Sequence, residues 1–273
     1  MKLFDSHCHI DGAEYDDDRD AVLQRAREAG VVACMIAGIN AESAFKAVSL
    51  ADSTEMLYAS VGIHPHDAAN CTDMVLEYLT ELAIHPRVCA WGEIGLDFNR
   101  MHSPKPVQEY WMARQLDLAL ELKLPLIFHE RDTEGRMLEI LRSYAPGTIQ
   151  GVVHCFTGSE DDLSAYLDLG LCIGITGMIT MEKRGAPLRR LISRIPMERM
   201  LIETDAPYLT PSPERNRFKR NEPAFVRSVF LKLMNLLGMD AEILAETLWK
   251  NTCRTFGIDP ATGNRTRISL RNA

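Results

Sequence analysis

Five short segments spread along the chain each place a possible metal-binding side chain where an apolar, strand-like run ends. They are DSHCH at residues 5–9, GEIGLD at 92–97, IFH at 127–129, VVH at 152–154 and IETD at 202–205. Ligands from the ends of many strands converge in few folds. The leading candidate is the (β/α)₈ barrel, whose active site lies at the C-terminal face of its strands. The pattern therefore predicts an α/β fold, a (β/α)₈ TIM barrel with a metal site at that face.

The rest of the chain fits this architecture, because eight short apolar runs alternate with stretches of helical spacing. The runs lack polar alternation, as expected for parallel strands buried on both faces. The 273 residues suit one barrel of roughly 250 residues, and no Pro/Gly/Ser-rich linker divides them. We therefore predict one domain over residues 1–258 and a polar, frayed tail over 259–273. The predicted strands are Leu3–His7, Val31–Ala37, Leu57–Gly62, Val88–Glu93, Leu126–His129, Gly151–His154, Leu171–Ile175 and Met200–Thr204.

Composition limits the classes of partner. The net charge of −8 argues against broad affinity for duplex phosphates, so any contact with a nucleic acid must be local. The seven cysteines are odd in number and mostly lie in apolar contexts, which predicts buried reduced thiols and a cytoplasmic protein. No apolar run is long enough to span a membrane. We expect a monomer.

The first segment offers two imidazoles to one ion. His7 and His9 are two residues apart, so on a strand both side chains face the same way while Cys8 points to the other side. A bare HxH pair also occurs by chance as two exposed loop histidines. Here it follows an apolar strand and an aspartate, which favours a metal site.

Four further residues end their own strands. Glu93 could bridge two ions, which an imidazole cannot do, and the flanking Trp91 and Ile94 argue against a simple surface glutamate. A lone histidine after an apolar run is usually a core residue, but His129 and His154 lie on neighbouring strands. Asp205 closes the last strand; taken alone it could equally be a helix N-cap before Pro207.

Together these residues supply four imidazoles and two carboxylates. Such a mixed set suits Zn²⁺, Mn²⁺ or a mixed pair better than an all-oxygen Mg²⁺ site, although the identity of the metal, Mg²⁺ included, stays open. Two divalent ions about 3.5–4 Å apart could activate a water molecule and clamp a phosphoryl oxygen. The candidate ligands are His7, His9, Glu93, His129, His154 and Asp205.

Two other segments are candidates for binding substrate. In HPH at 64–66, His64 would face the barrel mouth after the third strand, although the string could be only a loop turn. The segment 213–221 could hold phosphates, and its Phe218, or Tyr208 before it, could stack on a base. A solvated charge run explains that segment equally well. Its basic residues are Arg215, Arg217, Lys219 and Arg220.

Several strings in order, from Asp5 to Phe256, resemble the TatD family of metal-dependent deoxyribonucleases, a branch of the amidohydrolase-like barrels. They include DSHCH at 5–9, GIHPHDA at 62–68, GEIGLDFNR at 92–100, FHERD at 128–132, HCFTG at 154–158, GITG at 174–177, ETDAPYLTP at 203–211 and RNEP at 220–223. The FHERD string contains Arg131, a further candidate substrate-binding residue. The strings are more specific for the family than for a substrate.

The resemblance implies a binuclear site and hydrolysis of DNA. In the family pattern one ion is held by the residues matching His7, His9 and Asp205, the other by those matching His129 and His154. The residue matching Glu93 bridges them, and the one matching His64 touches the substrate phosphate. The expected activity is metal-dependent hydrolysis of phosphodiester bonds in DNA, with RNA also possible. It would act as a 3′–5′ exonuclease on single-strand ends, with Asp205 as candidate general base and Glu93 as bridging carboxylate.

Two other classes of function remain open. One is an amidohydrolase-type enzyme acting on a small cyclic amide, lactone or phosphoester. Barrels of that kind frequently bridge their metals with a carboxylated lysine, whereas Glu93 takes the bridging position here. The other is a non-catalytic metal-binding protein, against which the full set of ligands argues.

Overall fold

The computed structural model describes residues 1–266 and confirms the barrel. Eight parallel strands pair in the order β1 to β8, so each strand neighbours the next in the chain. A bridge between Cys8 and Ala206 links β8 back to β1. The strands are β1 Leu3–Cys8, β2 Val31–Ile36, β3 Leu57–Val61, β4 Val88–Asp97, β5 Leu126–Arg131, β6 Gly151–Val153, β7 Cys172–Ile175 and β8 Met200–Ile202.

Helices separate the strands, and many begin at a side chain that caps them. Asn40 accepts a hydrogen bond from the Ser43 amide at the start of α2, and Ser159 forms a capping box with Asp162 at the start of α6. The α-helices are α1 Arg19–Glu28, α2 Ala41–Ser53, α3 Asp73–Leu82, α4 Lys105–Glu121, α5 Arg136–Arg142, α6 Glu160–Asp168, α7 Ala186–Leu191, α8 Val226–Leu237 and α9 Ala241–Thr255.

The core has two parts. A large apolar cluster lies between the strands and the surrounding helices. A smaller one gathers residues from all eight strands with the end of α9, and includes Phe4, Tyr58 and Phe256. The Phe4 ring lies 5.5 Å from Tyr58 and 5.7 Å from Trp249, measured between ring centroids. The interior of the barrel is therefore packed with side chains. This packing supports the C-terminal ends of the strands, where the candidate ligands lie.

Strand β4 is longer than the sequence predicts. It runs past Glu93 to Asp97, with an irregular register against β5 between Trp91 and Ile94. Gly95 has φ +144°, and a Cβ added there would overlap the carbonyl oxygen of His129. Glycine is therefore required for β4 to approach β5 this closely beside the His129 side chain.

The C-terminal segment also differs from expectation. The prediction of a frayed tail is wrong for residues 259–266, because this segment folds back on the barrel. Ile258 forms an antiparallel bridge with Arg265, and the Tyr58 hydroxyl donates to the Gly263 carbonyl at 2.7 Å. The Asp259 carboxylate accepts from two backbone amides of the turn, those of Ala261 and Thr262. Residues 267–273 of the predicted tail lie outside the described residues.

None of the helices described between residues 1 and 266 is both long enough and apolar enough to cross a membrane. All seven cysteines are free, and all but the partly exposed Cys155 are buried.

Candidate metal centre

Glu93 lies at the centre of a cluster of imidazoles at the C-terminal ends of the strands. Its Oε2 atom is 3.3 Å from His7 Nε2 and 3.8 Å from His9 Nε2. Its Oε1 atom is 2.8 Å from His129 Nδ1 and 3.1 Å from His154 Nε2. Each carboxylate oxygen therefore faces a different pair of histidines, and Glu93 belongs to two sets of potential ligands at once.

Asp205 completes the first set. Its Oδ1 atom is 3.7 Å from His7 Nε2 and 3.5 Å from His9 Nε2, and the two Nε2 atoms are 3.1 Å apart. Ligands about 2.0–2.1 Å from a tetrahedral zinc ion would lie roughly 3.3–3.4 Å from one another. The five measured separations bracket that value, so the spacing of His7, His9, Glu93 and Asp205 is compatible with a shared divalent ion.

The stacking of two buried imidazoles favours a neutral His7 ring. The Nδ1 atom of His7 is buried and has no hydrogen-bond partner among the described residues. The His7 ring stacks on that of His154, with centroids 3.9 Å apart and planes inclined by 16°. Two buried imidazoles stacked face to face repel each other if both are protonated. Burial and the neighbouring His154 lower the pKa of His7, which keeps its ring in the neutral form that can bind a metal ion.

Contacts on the far side of the rings orient three of the histidines. His9 Nδ1 lies 3.2 Å from the Ala37 carbonyl oxygen, and His129 Nε2 lies 3.3 Å from Asp97 Oδ2. His154 Nδ1 lies 3.3 Å from Glu203 Oε1, although off line for a full hydrogen bond. Histidines that bind metal usually present their other N–H to a carboxylate or carbonyl oxygen in this way. The nitrogens that face Glu93 are then left with free lone pairs.

The carboxylates of the cluster are ionised. Burial would raise the pKa of Glu93, but His154, His64 and His7 hold it well below its usual range. The pKa of Asp205 is likewise lowered against the effect of burial, through its hydrogen bond with His9. Burial would lower the pKa of His9, yet Asp205 and Glu93 raise it to about 9. The site therefore attracts positive charge, for which protons and metal ions compete.

His64 differs from the other histidines of the cluster. Its Nδ1 atom accepts a hydrogen bond from the His66 amide at 3.1 Å, so the neutral ring carries its proton on Nε2. That Nε2 lies 3.4 Å from Glu93 Oε1. Burial lowers the pKa of His64 to about 4, which keeps the ring neutral. In this tautomer His64 points an N–H donor into the site, and it also belongs to a group of possible ligands with His66 and His129.

Asp97 is a site residue that the sequence reasoning missed. It is buried, and its Oδ2 atom lies 2.7 Å from His66 Nε2 as well as 3.3 Å from His129 Nε2. Its Oδ1 atom accepts hydrogen bonds from the amides of Asn99 and Arg100. The signal was present, since Asp97 ends the GEIGLD string, but it required β4 to extend beyond Glu93.

Two further carboxylates lie beneath the cluster. Glu203 accepts a hydrogen bond from the Cys155 amide at 2.6 Å, and Gly174 leaves space for it, because a Cβ there would lie 2.6 Å from Glu203 Oε2. Asp5 accepts from the amide and hydroxyl of Thr204, at 2.8 and 2.6 Å. Burial raises the pKa of Asp5 to about 8. These contacts tie β1 to the end of β8, where Asp205 stands.

Among the candidate substrate-binding residues besides His64, Tyr208 and Arg131 lie close in the fold to this cluster. The Tyr208 ring is 59% exposed, and its centroid is 6.1 Å from that of His9. Arg131, Arg217 and Lys219 are exposed, and within residues 1–266 no hydrogen bond or ion pair involves their side chains. The structure brings Arg131 to the end of β5, two residues beyond His129.

Two residues of the 213–221 segment are already engaged. Arg220 pairs with Asp18 at 2.8 Å and stacks on Tyr15, so its guanidinium is not available to a phosphate. Phe218 remains half-exposed, but its ring packs against Phe225, with centroids 5.2 Å apart. Tyr208 is therefore the better placed of the two aromatic candidates.

The sequence matches the TatD related DNase family over residues 4–257. The chain belongs to this family. A relative from Pantoea ananatis, named 3′-5′ ssDNA/RNA exonuclease TatD, is 40% identical over 259 residues, covering 94% of this chain and all of the relative. A protein of the same name from Klebsiella pneumoniae is 39% identical and covers 94% and 98% of the two chains.

Solved structures agree with this assignment. The TatD homologue YJJV from Escherichia coli K12 is 33% identical, with a TM-score of 0.86 over 94% of this chain and 98% of that one. A TatD family hydrolase from Entamoeba histolytica is 24% identical, with a TM-score of 0.85 over the same shares, and supports the fold alone.

Proposed function

We propose that this chain is a metal-dependent 3′–5′ exonuclease that hydrolyses phosphodiester bonds at the ends of single-stranded DNA or RNA. The observation that carries the proposal is the position of Glu93 between two sets of ligands, each of which fits a divalent ion. The names of relatives about 40% identical over nearly the whole chain support the substrate class.

We assign the ligands of the two ions from the measured separations. His7, His9 and Asp205 would hold one ion, His129 and His154 would hold the other, and Glu93 would contribute to both. The mixed nitrogen and oxygen set favours Zn²⁺ or Mn²⁺ over Mg²⁺. When bound, such ions lower the pKa of water and neutralise charge on phosphoryl oxygens.

The protein itself supplies the proton acceptor and the orientation. Asp205 is ionised; with its Oδ1 in the ligand position, its other carboxylate oxygen can take a proton from the attacking water. His64 presents a neutral Nε2–H near Glu93 and can donate a hydrogen bond to a phosphate oxygen. Asp97 and the Ala37 carbonyl oxygen hold the His129 and His9 rings so that their free nitrogens stay directed inward.

Short-range contacts must hold the substrate, because the net charge of −8 opposes attraction of a polyanion over longer distances. Tyr208 stands beside His9 and can stack on the terminal base. Arg217 and Lys219 are exposed cations in the segment that follows Tyr208, and we assign them to phosphate contacts. A mouth surrounded by eight loops admits one strand end more readily than a continuous duplex.

The test compares substrates on protein that has been stripped of metal and then reloaded with Zn²⁺, Mn²⁺ or Mg²⁺. We expect end-labelled single strands to lose mononucleotides from the 3′ end, duplexes to be cut more slowly, and lactones and cyclic amides to remain intact. A covalently closed single-stranded circle should resist cleavage. Efficient cutting of the circle would overturn the exonuclease assignment. Turnover of lactones without any nuclease activity would favour the small-substrate alternative, and full nuclease activity in metal-free protein would refute the metal assignment.

Three further expectations complete the proposal. We propose that residues 1–258 act as one catalytic unit, since the matched region spans residues 4–257. The free cysteines, nearly all of them buried, support a reducing compartment such as the cytoplasm. A monomer suffices, because every residue assigned to the site comes from one chain; sedimentation of the purified protein tests this.

A further inference from the structure

A patch on the edge of the barrel mouth carries two arginines that the proposed mechanism does not use together. It consists of Arg100, Met101 and Arg131, and we call it the β4–β5 rim. Asp97, the last residue of β4, is paired in register with Arg131, the last residue of β5. Both arginines are exposed, and in the described part of the chain neither side chain forms a hydrogen bond or an ion pair. Met101 is 43% exposed beside them.

The rim is held in a fixed position relative to the metal centre. Asp97 accepts hydrogen bonds from the backbone amides of Asn99 and Arg100 through one oxygen and contacts His129 through the other. The Phe98 amide donates to the Arg131 carbonyl oxygen at 2.9 Å. The Asn99 side chain donates to Asp132 Oδ2 at 2.7 Å. One buried carboxylate therefore ties the rim backbone to a candidate metal ligand.

The nearby carboxylates of Glu130 and Asp132 are hydrogen-bonded to neutral groups and, among the described residues, do not form ion pairs with the rim arginines. Asp132 is engaged by Asn99, and Glu130 accepts hydrogen bonds from the amide and hydroxyl of Thr133. Glu130 alternates with Arg131 along β5, so its side chain leaves the strand on the other side. The guanidinium groups of Arg100 and Arg131 therefore have no ion-pair partner within residues 1–266 and are available to phosphates.

The position of the rim suggests what it binds. His129 and Arg131 are two residues apart on β5, so their side chains leave the strand on the same side and Arg131 lies above the metal centre. In an eight-stranded barrel β4 lies across the mouth from β8, whose following segment carries Tyr208, Arg217 and Lys219. A strand whose terminal base stacks on Tyr208 and whose scissile phosphate reaches Glu93 would leave the mouth over the rim.

We propose that the β4–β5 rim is a second binding subsite, which holds the phosphodiester backbone of the nucleotides next to the terminal one. Arg100 and Arg131 contact consecutive phosphates, and Met101 packs against a sugar or base between them. The inference rests on the proposed nuclease function and divides its substrate contacts into two groups. The terminal nucleotide belongs to the Tyr208 side, and the remainder of the strand belongs to the rim.

The test compares the double variant Arg100→Gln/Arg131→Gln with the wild type on two substrates, a thymidine dinucleotide and a thymidylate 20-mer. A matched control, Arg142→Gln/Arg190→Gln, removes two exposed arginines from the outer helices α5 and α7 and changes the net charge equally. We expect the ratio of kcat/KM for the 20-mer to that for the dinucleotide to fall about tenfold in the rim variant, mainly through KM, and to stay constant in the control. Removal of one arginine–phosphate interaction should reduce the salt slope of binding to a single strand by about 0.7, so removal of both should reduce it by about 1.4.

Equilibrium binding of a fluorescent 20-mer is measured in parallel with metal present. Binding and turnover can then be compared for each variant. An unchanged ratio together with unchanged 20-mer binding would overturn the rim subsite while leaving the nuclease function intact. Equal losses on both substrates would place the rim with the terminal nucleotide and also contradict the proposal. If the wild type cut neither substrate, the nuclease function would fail. Weaker 20-mer binding by the rim variant alone would then still support a nucleic-acid site, and equal binding would eliminate it.

Discussion

The two ends of this barrel are built from the same strands and have opposite chemistry. On β1, Phe4 belongs to the apolar cluster inside the barrel, and three residues later His7 faces Glu93. On β5, Ile127 lies in the same apolar cluster and His129 in the metal centre. One end of these strands thus packs against aliphatic and aromatic side chains, while the other presents ionisable groups.

The difference shows where stability and chemistry are located. The apolar end excludes water and fixes the positions of the strands, so its side chains contribute to the free energy of unfolding. The polar end contains buried imidazoles and carboxylates. Burying such groups costs free energy unless they are paired or bind a cation. Substitutions at the apolar end should therefore lower the free energy of unfolding, whereas substitutions at the polar end should lower turnover.

The largest expected effect is on turnover. Glu93→Gln removes the negative charge shared by both sets of ligands and should lower kcat/KM by at least about 10⁴-fold, since loss of one charge-stabilising group commonly costs 10²–10³-fold and here two ions are affected. The control Glu121→Gln changes an exposed carboxylate on α4 and should behave as wild type. A Glu93→Gln protein that keeps more than a tenth of wild-type activity at saturating metal would show that turnover does not depend on the polar end in this way.

Asp205→Asn should come next, because an amide can still offer an oxygen to an ion but cannot accept a proton. General bases contribute roughly 10²–10⁴-fold, so kcat should fall within that range at saturating metal. Metal content, measured on the same sample by elemental analysis, should remain near that of wild type. A kcat within a few-fold of wild type would exclude Asp205 as the base.

At the apolar end, Phe4→Ala should lower the free energy of unfolding by about 3–5 kcal/mol, because it leaves a cavity among Tyr58, Trp249 and Phe256. Folded protein should keep nearly normal turnover. Phe45→Ala, at an exposed site on α2, is the control and should change stability little. Urea unfolding of metal-free samples, followed by assays in dilute urea, measures both properties. Loss of turnover in fully folded Phe4→Ala protein would show that the two ends are coupled.

The smallest effect should come from Asp97→Asn, which acts through His129. Loss of such an outer carboxylate typically weakens metal binding 10–100-fold. The apparent affinity for Mn²⁺ should therefore fall, and excess Mn²⁺ should restore most of kcat. Asp17→Asn, an exposed control, should not change the affinity. An unchanged Mn²⁺ affinity in Asp97→Asn would show that the contact with His129 does not orient the ring.

The same comparison explains what the sequence could and could not reveal. The six candidate ligands were visible because each ends an apolar run, and because His7 and His9 share the period of two that characterises a strand. The sequence alone does not indicate a role for Asp97, because the glycines of β4 make the strand look as if it ends at Glu93. Sequence spacing does not encode the tilt of a strand or its irregular register.

Long-range contacts account for the other differences. The sequence groups Arg220 with the exposed cations of its segment, but in the structure it pairs with Asp18, which is 202 residues away in the sequence. The polar segment 259–266 was expected to fray, yet it meets Tyr58 and Ala83. Glu203 sits between Ile202 and Thr204 without a distinctive spacing, and only the fold brings it to His154. Local patterns carry no information about such partners.

The most direct test of the account asks whether Glu93 joins two metal ions. Metal-free wild-type protein titrated with Mn²⁺ should bind two ions and show the electron paramagnetic resonance signal of a magnetically coupled pair. Glu93→Gln should bind Mn²⁺ more weakly and show only the signal of isolated ions, while the melting temperature in chelator stays within a few degrees of wild type. A coupled pair that persists in Glu93→Gln, or wild-type protein that binds a single ion at saturation, would contradict the assignment of Glu93 as the shared ligand.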